Sequence, residues 1–158
     1  MSNEFYDDLG QILDEPTTRS FIVTLGKDEN PHVEEGFLVQ TQGSGQILLP
    51  DLGEYSRTNL NLVRSLWFNR KAVLYVLGAQ RRFEVLLEPY KVHVSGPLFE
   101  SYYRQSLKAG DGRIVLAVWI LDVVSITEET PHVRDERENL GRIPLVHLDQ
   151  IAVARSGA

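Results

Sequence analysis

The hydrophobic positions along this chain change their period several times, and each change marks an element. Phe5, Leu9, Ile12 and Leu13 recur at helical spacing among acidic residues, which predicts a short amphipathic helix stopped by Pro16. Phe21-Ile-Val-Thr-Leu25 is rich in β-branched residues and reads as a strand, with residues 26–30 as the turn after it. Residues 32–40 read as a second strand, 41–45 as another turn and 46–49 as a third strand, before Pro50 and Gly53 break the pattern. Ser56 is a plausible N-cap for a helix reaching about residue 69. Its apolar stripe is Leu60, Val63 and Trp67, with Leu66 beside it. Residues 72–77 form a strand, and 82–95 a long strand in which Pro89 implies a sheet edge or a bulge. Pro97 opens a helix through 107, and after the loop 109–112 comes the most strand-like segment, 113–124.

The total is about six strands with two or three helices, and no βαβ alternation. That pattern favours a mainly β fold, an antiparallel barrel with flanking helices, over a doubly wound parallel sheet. Beyond Thr130 the character changes. Arg134-Asp-Glu-Arg-Glu138 is a solvated stretch and residues 145–154 a weakly amphipathic end. Residues 1–130 therefore read as the domain, and 131–158 as an extension packing on the barrel or on a partner.

A chain of 158 residues with 42% hydrophobic residues supports one domain with a true core. The net charge of -6 argues against nucleic-acid or anionic-membrane binding, which needs clustered positive charge. Cysteine is absent, which excludes disulfides, thiolate metal sites and thiol nucleophiles. The first ten residues carry three acidic and no basic side chains, unlike a secretory signal, and no apolar run reaches membrane-helix length. The expectation is a soluble cytoplasmic protein.

Candidate chemistry concentrates in Ile47-Leu-Leu-Pro-Asp-Leu-Gly-Glu-Tyr-Ser-Arg-Thr-Asn-Leu-Asn61. A strand ends, a glycine-containing loop turns the chain, and Ser56, Arg57 and Thr58 lie at a helix start. Main-chain N–H groups and the helix dipole favour an anion there, hydroxyls can donate to it, and a guanidinium can grip phosphate oxygens. The bland reading is a serine N-cap followed by a solvent-facing arginine. Histidines at 32, 93, 132 and 147 have no metal spacing, and Gly43-Ser-Gly45 is better read as a hairpin turn than as a nucleophile elbow or phosphate loop. Arg81-Arg82 before Phe83 reads as a solvated turn. Glu34 and Glu35 are adjacent on a strand, so they face opposite sides and cannot share one substrate.

The segment from Pro50 to Asn61 resembles the phosphate-binding segment of FMN-binding split barrels, the family of pyridoxamine 5'-phosphate oxidase relatives and flavin reductases. The resemblance runs in order over roughly residues 18–128. Residues 21–25 followed by Asn30-Pro-His-Val33 are similar to the family's first hairpin. Val94-Ser-Gly-Pro-Leu-Phe-Glu100 is similar to its entry into a helix, and residues 113–127 to its last strand. The tail Ile143-Pro-Leu-Val-His147 is faintly similar to the ending of flavin reductases.

The resemblance implies a homodimer with FMN at the interface and a small-molecule electron donor or acceptor. It implies that Ser56, Arg57 and Thr58 hold the FMN phosphate while Asn61 supports the loop. Leu49, Pro50, Asp51 and Leu52 would run beside the flavin and offer main-chain groups to it. Glu34, Glu35 and Gly36 would occupy the positions facing the isoalloxazine, where two carboxylates depart from the small or amide residues usual in the family, and strand alternation lets only one of the two glutamates face it. Asp111, Trp119 or the C-terminal tail would cover the partner's ring, although Trp119 within Val118-Trp-Ile120 also suits a core. Two functions follow: an FMN-dependent oxidoreductase or electron-transfer protein, and a non-enzymatic binding module that has lost flavin. Pyridoxamine-phosphate oxidation itself is disfavoured, because no basic residues stand out to hold a second phosphate.

Overall fold

The computed structural model describes residues 3–53 and 56–140. Helix α1 (Asn3–Asp14) precedes strands β1 (Arg19–Leu25), β2 (Pro31–Glu35), β3 (Gln40–Gln42) and β4 (Gln46–Asp51). Helix α2 (Arg57–Trp67) leads to β5 (Ala72–Leu77) and β6 (Arg82–His93), and α3 (Pro97–Ala109) to β7 (Ala117–Glu128) and α4 (Pro131–Leu140). The strands form one antiparallel sheet in the order β2-β1-β5-β6-β7-β4-β3.

This order has a geometric consequence. β2 and β3 lie at opposite ends of the sheet, yet only residues 36–39 connect them. Five peptide steps span at most about 18 Å, so the sheet must curl until its two edges nearly meet. They approach without pairing, which leaves a barrel split along one seam.

The seam explains why the second predicted strand is really two. Gly36 N–H still donates to Ser20 O at 2.8 Å, but the chain then leaves β1, with Leu38 in left-handed backbone at φ 52°. A side chain at Gly36 would collide with Ser20 and Val39, so glycine is required where the chain crosses the gap. Seven strands therefore replace the expected six. β7 begins at Ala117 rather than at 113. Pro89 sits in central β6 beside a register shift, so the bulge reading holds and the edge reading does not. The solvated stretch after Thr130 includes α4, whose residues are all at least partly exposed. Residues 141–158, with the similarity at 143–147, lie outside the described residues.

Apolar alternation builds two cores. Ile22, Ile47, Leu49, Leu74, Val85, Leu87, Trp119 and Leu121 line the inside of the barrel, with Leu9 and Ile12 of α1 and Leu62 of α2 packed among them. On the other face, Leu48, Val118 and Ile120 pack with Phe37, Val115 and Tyr102 of α3. Arg81, expected in a solvated turn, instead ties α1 to β7. It donates to Asp8 at 2.7 Å and to Glu128 at 2.9 Å while its guanidinium lies over the Phe83 ring. No helix among the described residues is long and apolar enough to cross a membrane.

Leu9 is fully buried at the centre of the α1 face that also buries Tyr6 and Ile12. Leu9→Ala is expected to lower the unfolding free energy in urea by about 2–5 kcal/mol, as cavity-forming core truncations do. A loss under about 1 kcal/mol would mean that α1 is not part of the core.

Candidate functional site

Helix α2 is held to the barrel mainly by hydrogen bonds, each to a different strand. The Ser56 hydroxyl donates to Asp51 of β4 at 2.8 Å and accepts from Asn59 N–H at 2.9 Å as the N-cap. Thr58 donates to Glu34 of β2. Asn59 accepts from the Trp119 indole of β7 at 2.9 Å, and Asn61 donates to Thr24 of β1 at 3.0 Å. Its buried residues are Thr58, Asn61, Leu62 and Ser65. Buried polar groups cost little only when paired, and all four strands supply a partner.

The expected apolar stripe exists but points the other way. Leu60, Val63 and Trp67 lie about 180° around the helix from the buried set, given 100° per residue. Trp67 is 80% exposed, and Phe68 just beyond the helix is 70% exposed. An apolar stripe on a surface helix ordinarily faces the core. The barrel mouth, however, presents Glu34, Thr24, Asp51 and the Trp119 N–H, which accept only a polar face.

The seam beneath α2 brings together most of the sequence-predicted residues. Glu34, Glu35, Gly36, Leu49, Pro50, Asp51, Leu52 and Thr58 line one small groove, a cavity of ≈ 20 Å³, between the β2 and β4 edges. Which main-chain groups face it follows from strand alternation. Gly45 O and Asp51 O accept from β7-side N–H groups, so Leu49 and Asp51 also turn their main chain to β7. Pro50 is the residue turned to the groove, and it has only a carbonyl to offer. The expectation that this run supplies N–H groups is corrected to that extent. On β2, Gly36 pairs with β1, so Glu35 presents its N–H and C=O to the seam.

The two glutamates separate as alternation requires. Glu34 lies opposite Ile22 on the face that α2 covers, within 3.7 Å of His32. The Glu35 side chain turns outward and pairs with Arg19 at 3.0 Å, which holds its carboxyl below the usual range. Glu34, rather than the Glu35 side chain, is therefore the carboxylate at the head of α2. Asp51 is the second. Burial pushes its carboxyl above the usual range, bonds from Gly53 N–H and Ser56 partly offset this, and the Glu34 charge adds to it.

Arg57 does not share that environment. It opens onto a cavity of ≈ 640 Å³ between α2 and the β1–β2 turn, lined also by Lys27, Asp28, His32, Asn61 and Arg64. Lys27 and Arg64 were missed in the sequence, where one reads as a turn residue and the other as a helix surface charge. Trp119 is fully buried within its own chain, so it cannot cover a partner's ring. Asp111 is on the surface, bonded to Arg113.

No protein-family profile and no curated protein matches this sequence. Solved structures do. HupZ of Group A Streptococcus superposes with TM-score 0.61 at 10% identity, covering 79% of this chain and 94% of that one. A Clostridium acetobutylicum protein related to general stress protein 26, of the pyridoxinephosphate oxidase family, gives 0.54 at 10% identity over 83% and 92%. An FMN-binding protein of Syntrophomonas wolfei subsp. wolfei gives 0.52 at 15% identity over 80% and 92%. At these identities the likeness is one of fold. The chain has the split-barrel fold of FMN-binding and pyridoxamine-phosphate-oxidase-type proteins.

The raised pKa of Asp51 makes stability depend on pH. Its protonated form is favoured by folding, so that contribution is present at low pH and is lost as pH rises through the folded-state value. Asp51→Asn removes the titration. Urea unfolding from about pH 3 to about pH 8 should show the variant gaining stability relative to wild type as pH rises. A flat or falling difference would contradict the burial effect.

Proposed function

We propose that this protein is a homodimeric flavin-binding protein, with FMN at the seam and an oxidoreductase or electron-transfer role toward a small-molecule donor or acceptor. The observation that carries this reading is the split barrel's seam, where Glu35 N–H and Pro50 C=O face the groove beneath α2, the helix that carries Arg57 on its flank. When bound, FMN would supply hydride or single-electron chemistry, so no acid, base or nucleophile of the chain is needed. The chain's part is binding and orientation. The main chain of Glu35 and Gly36 and the carbonyl of Pro50 would meet the ring edge, with Leu49, Asp51 and Leu52 backing them. Arg57 would hold the phosphate, while Ser56, Thr58 and Asn61 fix the helix that carries it.

A groove of ≈ 20 Å³ is too small to enclose a tricyclic ring, so a ring would lie over it and need a cover. The exposed stripe Leu60, Val63, Trp67 and Phe68 on the helix above the seam supports a second copy as that cover. Adjoining exposed apolar side chains of this size mark association surfaces.

A second reading, a binding module without flavin, is favoured by Glu34 and Asp51. Two carboxylates at the head of α2 disfavour an anionic ligand at the helix tip and oppose negative charge developing on a reduced flavin.

Visible absorption after adding FMN and removing the excess separates the two. A retained flavin band is expected, and complete loss of FMN would leave the binding module. Arg57→Ala should weaken FMN binding at least about tenfold, since charged hydrogen bonds contribute about 1.5–3 kcal/mol. Unchanged affinity would remove the phosphate assignment. Trp67→Ser should shift the dimer to monomer in sedimentation equilibrium, and a wild-type monomer would remove the interface.

A further inference from the structure

We propose that the cavity between α2 and the β1–β2 turn seats the phosphate group of a small-molecule ligand, held by Lys27, Arg57 and Arg64. The proposal deepens the reading above by placing the phosphate beside the helix rather than at its hydroxyl-bearing tip, and by adding two residues to the site.

The first argument is charge. In a chain of net charge -6, half of the sixteen lysines and arginines have a carboxylate within 4.0 Å among the described residues: Arg19 has Glu35, Arg70 has Glu29, and Arg81 has Asp8 and Glu128, for example. Among the described residues no carboxylate lies within 4.0 Å of a Lys27, Arg57 or Arg64 nitrogen, although all three line one cavity. Gathering three cations against one carboxylate is unfavourable unless an anion joins them. Asp28 is the carboxylate in the wall. Its charge acts on Arg57 without a close ion pair, and its oxygens are engaged by its own turn, accepting from the Asn30 amide at 2.6 Å and from Asn30 N–H at 3.3 Å.

The second argument is the placement of those charges. Arg57, Asn61 and Arg64 recur at helical spacing on one side of α2, and Lys27 comes from the opposite wall. Asn61 is fixed by its bond to Thr24, so the two arginines rise from an anchored stretch of helix. The helix tip offers an anion much less. Ser56 is bonded to Asp51 and Thr58 to Glu34, so a phosphate there meets two carboxylates instead of two free hydroxyls. The space also suits more than a bare anion: ≈ 640 Å³ lies within the size range of small-molecule sites, and Pro31 and Leu60 give the organic part an apolar wall.

The source of the phosphate is either the flavin itself or a second phosphorylated ligand, and one set of titrations separates them. Inorganic pyrophosphate is titrated calorimetrically at low salt into the purified protein. The proteins compared are wild type, the Lys27→Ala/Arg64→Ala double variant, the Ser56→Ala/Thr58→Val double variant, and Lys108→Ala as a remote charge control. Folding is checked by thermal unfolding; Lys27 and Arg64 make no ion pair among the described residues, so their truncation should leave it intact. The expected result is at least a tenfold loss of pyrophosphate affinity in Lys27→Ala/Arg64→Ala, and less than a twofold change in Lys108→Ala. No pyrophosphate binding by wild type, no loss in that double variant, or a larger loss in Ser56→Ala/Thr58→Val would overturn the seat.

FMN and riboflavin are then compared. If Lys27→Ala/Arg64→Ala brings FMN down to riboflavin's affinity, the phosphate held is the flavin's own. If FMN keeps its advantage while pyrophosphate binding is lost, the seat serves a second phosphorylated ligand. Wild type that binds pyrophosphate in this manner but neither flavin would support the seat and refute the flavin reading.

Discussion

The structure depends on one unusual docking. Helix α2 closes the mouth of the barrel with a largely polar face, and its side-chain bonds reach β1, β2, β4 and β7. Each bond alone contributes about 0.5–1.5 kcal/mol, but breaking one leaves a buried donor or acceptor unpaired. The set is therefore specific: a rotated α2 would put Leu60 or Trp67 against Glu34, Thr24 and Asp51 and leave those groups without partners. Rotation about the helix axis is fixed by polar complementarity rather than by hydrophobic fit.

That orientation distributes chemistry over the rest of the helix. With the polar face turned in, the apolar stripe is turned out, and the flank carrying Arg57 and Arg64 is turned toward the β1–β2 turn and Lys27. One helix thus presents three surfaces: a latch to the barrel, an exposed apolar face, and a cationic flank. The carboxylates that latch it, Asp51 and Glu34, also give its tip negative character. The usual preference of a helix N-terminus for anions is opposed there, and positive charge dominates one flank instead.

The seam has a similar logic. The short link of residues 36–39 forces two unpaired edges together without letting them join. Unpaired edges are usually a hazard, and here the crossing at Gly36 and the cover of α2 confine the exposed main chain to a narrow groove. This gap offers Glu35 N–H and Pro50 C=O.

Much of this could be read from the chain alone. The element order, the antiparallel mainly β class and an edge or bulge at Pro89 follow from local period and backbone chemistry, which survive in any packing; only the sheet order chose the bulge. The segment from Pro50 to Asn61 stood out for the same reason, since a loop leading into Ser-Arg-Thr at a helix start is a local feature. The chain could not reveal which side of α2 faces inward. Leu60, Val63 and Trp67 form a true stripe, and only the polar lining of the barrel mouth, supplied by strands far apart in sequence, decides that it points outward. Nor could it show Lys27 beside Arg64, since each alone is an ordinary surface charge and their meeting depends on the β1–β2 turn folding against the helix. Local periodicity determined the elements; long-range polar pairing decided which way they face, and with it where the candidate site lies.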